Sequence, residues 1–217
     1  MMARLRAWAR DTLARQIRRP SGWIGGLLGH LMAWEHRDLT GWCLDLAALE
    51  PDHAVLDIGC GGGASTQALT ARVPRGAVTA VDFSPRMVGQ ARRRNAAAIR
   101  AGQVAVHEAD VADLPFDDDR FDRAIAIETV LFWPDPVAAL RETRRVLRPG
   151  GRVVVCVDAS KDSPRREEWT QGADALGYTL YSGAELAGHL TAAGFRDVAV
   201  ESRPEVGRGW LCVTGVA

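Results

Sequence analysis

The chain has 217 residues, 47% hydrophobic and 25% charged, a globular mixture that excludes a largely disordered or fibrous protein. The length suits one domain of ordinary size, or one domain with a short appendage. The 27 basic and 27 acidic side chains cancel, which gives no support to a general nucleic-acid binder. The cancellation hides an asymmetry: residues 1–20 carry six arginines against Asp11, a net charge of +5, and the remainder carries −5.

Residues 3–19 read as an amphipathic helix. Leu5, Ala9, Leu13 and Ile17 recur every four residues, and arginines fill the other face. Pro20-Ser21-Gly22 ends it, and a second amphipathic segment runs from Trp23 to Ala48. The apolar run Trp23–Trp34 is broken by Gly25, Gly26, Gly29 and His30, and no stretch approaches the ~20 apolar residues of a membrane span. No apolar signal core follows the basic start directly. Cys43, Cys60, Cys156 and Cys212 are scattered without a C-x-x-C pair, which favours reduced core thiols over a disulfide framework or a zinc site. These features predict a cytoplasmic protein without a membrane span.

The pattern then changes to short apolar runs alternating with helical stretches. Strands are expected at Ala54–Ile58, Ala77–Asp82, Val104–His107, Phe121–Glu128 and Gly151–Asp158, with Val198–Glu201 and Trp210–Val216 closing the chain. Helices are expected at Ala64–Ala71, Pro85–Arg100, Pro136–Leu147 and Ala184–Ala193. Such alternation implies βαβ units: an α/β, Rossmann-like, mostly parallel sheet with helices on both faces. The polar stretch 159–182 is a candidate functional loop.

The strongest chemical signal is Asp57-Ile58-Gly59-Cys60-Gly61-Gly62-Gly63, at a junction of strand and helix. Glycines there let the backbone turn tightly and approach a ligand without Cβ clashes. The spacing is G-x-G-x-G, not the dinucleotide fingerprint G-x-G-x-x-G. Asp82 ends the next strand, 19 residues past Gly63, where a carboxylate can accept bonds from both ribose hydroxyls. Asp82 could instead cap the helix beginning at Pro85, a role that suits Ser84 better. Together the two elements favour an adenosine-containing ligand.

Four stretches in order, VLDIGCGGG, VTAVDFSPRMV, EADVADLPFDDDRFD and FWPDPVAALRETRRVLRPGGRVVV, resemble a class I S-adenosylmethionine-dependent methyltransferase of the bacterial type 11 small-molecule group. The resemblance spans about residues 50–158. It implies a seven-stranded sheet with the last strand antiparallel, S-adenosyl-L-methionine as cofactor and S-adenosyl-L-homocysteine as product. Residues 49–217 would be the methyltransferase domain and residues 1–48 a helical extension or lid. By the same resemblance Gly59, Cys60, Gly61 and Gly63 would run along the methionyl part, with Asp57 helping to hold its amino group. Asp82 would bind the ribose, with Phe83 and Met87 beside the adenine and Asp110 and Val111 fixing its ring. Ile127, Glu128 and Thr129 would lie next to the reactive sulfonium.

The acceptor side is less defined. Glu128, His30, His36 and Asp158 are the candidate proton acceptors, and a base is needed only if the acceptor attacks from a protonated state. Phe132, Trp133 and Asp158 are candidate acceptor contacts. Three consecutive acids, Asp117 to Asp119, read as a solvated turn, and no metal is expected. Cys60 reads as a small loop residue, not a nucleophile, and His107 as structural. The expected reaction is methyl transfer by in-line displacement to a small molecule, by a monomer or homodimer acting neither on nucleic acid nor in a membrane. Two alternatives remain: a nicotinamide-dependent oxidoreductase, disfavoured by the glycine spacing and Asp110, and a non-catalytic cofactor-binding module that acts through a partner.

Overall fold

A computed structural model describes residues 36–217. The expected helix over 3–19, the apolar run 23–34 and His30 lie outside the described residues. The described chain forms α1 (Arg37–Leu46), β1 (Ala54–Ile58), α2 (Ala64–Arg72), β2 (Ala77–Asp82), α3 (Pro85–Arg94), α4 (Ala96–Arg100), β3 (Val104–Glu108), β4 (Phe121–Ile127), α5 (Pro136–Val146), β5 (Leu147–Val157), α6 (Arg166–Leu176), α7 (Gly183–Ala192), β6 (Arg196–Arg203) and β7 (Trp210–Val216).

The strands make one seven-stranded sheet in the order β3-β2-β1-β4-β5-β7-β6. β1 to β5 are parallel, and β7 runs antiparallel between β5 and β6. The chain winds outward from β1 to β3 and then returns to β4 on the other side of β1. This reversal is the topological switch point at which open α/β sheets bind ligands, beyond the carboxyl ends of the strands.

The period-2 alternation of strands divides the core into two layers. Val55, Ile125, Val154 and Val78 face one side, where α1 packs Leu39, Cys43 and Leu44 and α2 packs Leu69. Leu56, Ala124, Val153, Val155 and Val213 face the other, against Leu140 of α5 and Leu186 and Leu190 of α7. Because α1 buries its apolar stripe on β5 and β7, its first turn is held over the sheet.

Several expectations change in detail. The single helix expected over 85–100 divides at Asn95, whose amide donates to the carbonyls of Gly63 and Ala91 at 3.0 Å each. The fifth strand begins at Leu147, earlier than expected, because Leu147 pairs with Phe121 across a register shift. The polar stretch 159–182 contains α6 and is not a plain loop; Glu167 and Glu168 in its first turn suit the helix dipole, and Gly177 ends it in the left-handed region. Ser84 occupies the N-cap of α3 but its side chain makes no cap bond; Asp82 Oδ1 takes the Ser84 N–H instead, at 2.9 Å.

The expectation of four reduced thiols also needs correction. Cys156 and Cys212 form a disulfide, and Cys43 and Cys60 are free and buried. The two bonded cysteines stand directly opposite each other in the antiparallel β5–β7 pair, with Cα atoms 4.2 Å apart. Their spacing of 56 residues carries no signal, because only strand register brings them together.

Candidate active site

The site grows from the ends of β1, β2 and β4. After β1 the backbone enters the left-handed region at Gly59, Gly61 and Gly63, with φ of 67°, 51° and 79°. That conformation is open to glycine at no steric cost. At Gly59 a Cβ would collide with the Thr129 side chain, and at Gly63 it would lie 2.8 Å from the Ala91 Cα. The glycines therefore allow close approach of the loop to β4 and to α3.

Beside this loop lies a cavity of about 360 Å³, lined by residues that include Gly59, Asp82, Phe83, Asp110, Val111 and Thr129. The volume is within the ordinary range for a small-molecule site. Burial pushes the Asp82 carboxyl up, while the N–H groups of Ser84 and Gly61 oppose that shift by bonding its charged form. Phe83 offers an exposed aromatic face, 47% accessible, at the rim. Asp110 is tied through Oδ1 to the Ala112 N–H at 2.9 Å, which holds it at the end of the cavity beyond β3.

Other expected cofactor contacts stand off the cavity wall. Asp57 is buried, and its Oδ2 accepts from Ser65 Oγ at 2.8 Å and Thr66 Oγ1 at 2.6 Å. It anchors the start of α2 behind the loop, and burial pushes it up to about 6 against those two bonds. Cys60 is buried with its Sγ turned to the Gly61 carbonyl, and burial raises its thiol far from a reactive range. Met87 is buried on α3, and Ile127 packs on the core layer beneath α1. Phe132 and Trp133, expected on the acceptor side, line the same cavity as Asp82 and Asp110. Trp133 Nε1 donates to Thr129 Oγ1 at 3.3 Å.

A second cluster stands on the other side of Thr129. Glu128 follows β4 with φ of 59°, a left-handed conformation costly for a residue with a Cβ. Its N–H donates to the Cys156 carbonyl at 2.9 Å, and its Oε1 accepts a short bond from the Asp158 N–H. His36, the N-cap of α1, places Nε2 3.9 Å from Glu128 Oε2 and 3.8 Å from Asp158 Oδ2. Burial pushes the Glu128 carboxyl up, and nearby His36 opposes that shift.

Sequence reasoning missed Arg208 and Tyr178 in this cluster. Arg208 Nε donates to Asp158 Oδ2 at 2.7 Å, and its backbone N–H donates to Asp158 Oδ1 at 3.1 Å. Burial pulls the guanidinium down, but Asp158 outweighs it and holds it above the usual range. Tyr178 meets the Phe132 ring edge-on at 6.1 Å, and its hydroxyl lies in the field of Arg208, Glu128 and Asp158. The sequence signal that could have pointed to Arg208 is a cation between two glycines, Gly207 and Gly209, which the structure shows to be left-handed, but only the β5–β7 pairing shows what it faces.

Elsewhere, Asp118 pairs with Arg145 and Asp122 with Arg148, both at 2.6 Å. His107 packs edge-on to Phe116 at 5.5 Å.

A glycine-cradled cavity at the switch point, with carboxylates at the ends of β2 and β3, defines a class I S-adenosylmethionine-dependent methyltransferase fold. Residues 56–155 match a family described as a methyltransferase domain. The chain belongs to this type 11 group of methyltransferases, whose cofactor is S-adenosylmethionine. Among similar proteins, the O-methyltransferase cnsE of Penicillium expansum is 36% identical over 157 residues, covering 71% of this chain and 56% of the relative. A 2-methyl-6-phytyl-1,4-hydroquinone methyltransferase of rice (Oryza sativa subsp. japonica) is 39% identical over 103 residues, 48% of this chain and 28% of the relative. The chain thus spans little more than half the length, or less, of these curated relatives. The methyltransferase from the complex with the Haloferax volcanii Trm112 methyltransferase activator superposes with a TM-score of 0.78 at 26% identity, covering 90% of this chain and 96% of that one.

The residues present fit the cofactor. Asp82 at the end of β2 suits two hydroxyl donors, the cavity extends from there to Asp110, and the glycine loop leaves room that a Cβ would fill. No helix among the described residues is long and apolar enough to cross a membrane.

Proposed function

We propose that the protein transfers the S-adenosylmethionine methyl group by in-line displacement to a small molecule carrying a phenolic or hydroquinone ring. The observation that carries this reading is the continuity of the two clusters. Phe132 lines the cofactor cavity, touches Tyr178, and Tyr178 faces the charged group of Glu128, Asp158 and Arg208. The cofactor occupies the cavity, with Asp82 on the ribose, Asp110 and Val111 at the adenine, and the Gly59–Gly63 loop along the methionyl part. The acceptor lies beyond Thr129, where aromatic side chains give it a partly apolar wall.

A sulfonium methyl is already activated, so these residues mainly orient the acceptor and exclude water; orientation of this kind supplies roughly 7–11 kcal/mol. Glu128 and His36 take the acceptor's proton. The O-methyltransferase name of the fungal relative supports a hydroxyl as the group engaged, and the hydroquinone in the rice relative's name supports a ring that carries one. Residues 49–217 act as the methyltransferase domain, and His36, at the start of α1, stands on the acceptor side. The protein acts as a monomer or homodimer on small molecules, not on nucleic acid.

Titration calorimetry with S-adenosylmethionine and S-adenosylhomocysteine tests the reading. Saturable binding of both is expected. No heat with either under several conditions, or saturable binding of NAD instead, overturns it.

A further inference from the structure

We infer that Arg208 is the residue that selects the acceptor, by holding a phenol as its phenolate against a wall made by Trp169 and Tyr178. This rests on the reading of the site given above and deepens it.

The loop between β6 and β7 is built to deliver this side chain. Gly207 and Gly209 both adopt left-handed φ, 58° and 97°. A Cβ on Gly207 would run into Asp158 and Trp210, and one on Gly209 would lie 2.5 Å from the Ser163 Cβ. Glycine on both sides therefore lets Arg208 reach the end of β5, where Ala159 and Arg208 form an isolated bridge. Asp158 then grips it twice, through backbone and side chain. A guanidinium fixed in this way loses little freedom when it binds an anion.

The remaining donors face the cluster. Arg208 Nη2 lies 3.4 Å from His36 Nε2. A guanidinium can only donate, so this contact is a hydrogen bond in the tautomer of His36 that leaves Nε2 its lone pair. Nη1 has no hydrogen-bond partner among the described residues. A phenol entering here has a base beside its hydroxyl and a cation for the oxygen left behind. The O–H bond breaks, its electron pair stays on oxygen, and its proton passes to His36 Nε2. That nitrogen then faces Glu128 and Asp158, 3.9 and 3.8 Å away, and no longer accepts from Arg208, whose Nη2 turns to the phenolate.

A second observation points independently to a ligand. The Trp169 indole N–H is buried with no hydrogen-bond partner among the described residues. Buried donors of this kind are uncommon in proteins and call for an acceptor. Arg208 sits 5.7 Å over the Trp169 ring, so the orphaned donor and the cation belong to one place. Tyr178 packs on the same small apolar cluster as Trp169. Cation, orphan donor and aromatic wall together suit a flat ring bearing an oxyanion better than an aliphatic amine, which Arg208 would repel.

The test uses 4-nitrophenol, whose ionised form absorbs visible light, added to the full chain saturated with S-adenosylhomocysteine. The wild-type protein is expected to bind the probe as phenolate, seen as growth of the visible band at a pH where the free probe is partly protonated. Arg208→Met is expected to bind it at least tenfold more weakly and without that band, and Arg208→Lys to fall between the two, since it keeps the charge and loses the planar fork. Melting temperature and S-adenosylhomocysteine affinity report whether each variant is folded. Equal affinity and equal ionisation in wild type and Arg208→Met, or no probe binding by the wild type, overturns the assignment. If S-adenosylhomocysteine binds normally in that case, only the role of Arg208 falls; if it does not bind, the methyltransferase reading falls as well.

Discussion

The Gly61 N–H donates to Asp82 Oδ2 at 2.9 Å, which ties the glycine loop after β1 to the carboxylate that ends β2. With the Ser84 N–H on Oδ1, this fixes the carboxylate while each oxygen keeps a lone pair for a hydroxyl. Asp82→Ala removes the ribose acceptors and the brace on the loop together. S-adenosylhomocysteine affinity is expected to fall tenfold or more, at least ~1.4 kcal/mol, measured by calorimetry. Unchanged affinity in a folded variant would show that the ribose contact is elsewhere.

Gly59→Ala tests the other half of that brace. Alanine at φ of 67° carries strain, and its Cβ meets the Thr129 side chain, which is itself held by Trp133. Strain and overpacking together are expected to cost about 2–4 kcal/mol of stability. Cofactor affinity should fall with it, because Gly59 and Thr129 both line the cavity. Thermal unfolding and calorimetry on one preparation separate the two effects.

The parts of the fold that were legible in the sequence are those governed by local pattern. The runs at Ala77–Asp82 and Trp210–Val216 form strands over the residues expected, since a strand buried on both faces leaves a short continuous apolar run. Asp82 and Asp110 were legible because the end of a strand is a fixed place for a ligand-facing acid. The disulfide and the Arg208–Asp158 pair were not, because each depends on the antiparallel register of β7, which no single run of residues encodes. The two bonds to Asp57 were not legible either: it lies within β1, and Ser65 and Thr66 reach its Oδ2 only because of how α2 packs.

Glu128 combines a left-handed backbone with a buried carboxyl, and both features cost stability. Burial raises its folded-state value above the unfolded one, so stability falls as the pH rises from the unfolded value to the raised one, and the loss is complete above it. Glu128→Gln keeps an oxygen for the Asp158 N–H and removes the charge. Its melting temperature is expected to rise at neutral pH, by roughly 2–4 °C per kcal/mol recovered, and methyl transfer to a phenolic acceptor to fall. A lower melting temperature would mean that the carboxylate contributes more through His36 and Arg208 than it costs by burial.

Asp57 gives a cleaner pH signature. Burial takes its carboxyl from an ordinary 3.8 up to about 6. Between those values the folded chain binds more protons than the unfolded one, so stability falls as pH rises through the window and the loss is complete above it. The shift corresponds to about 3 kcal/mol. Asp57→Asn has no such titration. The difference in unfolding free energy between the two proteins should move by about 2.4 kcal/mol in favour of the variant from pH 4 to 7, by urea unfolding at each pH. A constant difference would show that Asp57 is ionised in the fold at an ordinary pH.

The pairing of Cys156 with Cys212 joins β5, which Asp158 follows, to β7, which follows the loop of Arg208. Denatured without reductant, the protein should show two reactive thiols, Cys43 and Cys60, and four after reduction. A bridge across 56 residues lowers the entropy of the unfolded chain, so adding reductant is expected to cost about 2–4 kcal/mol of unfolding free energy. The antiparallel register survives reduction, because the ladder hydrogen bonds and the apolar faces of Val155 and Val213 still hold it. Cofactor affinity should therefore stay unchanged while stability falls. Four reactive thiols before reduction would show that the two strands pack as a reduced pair.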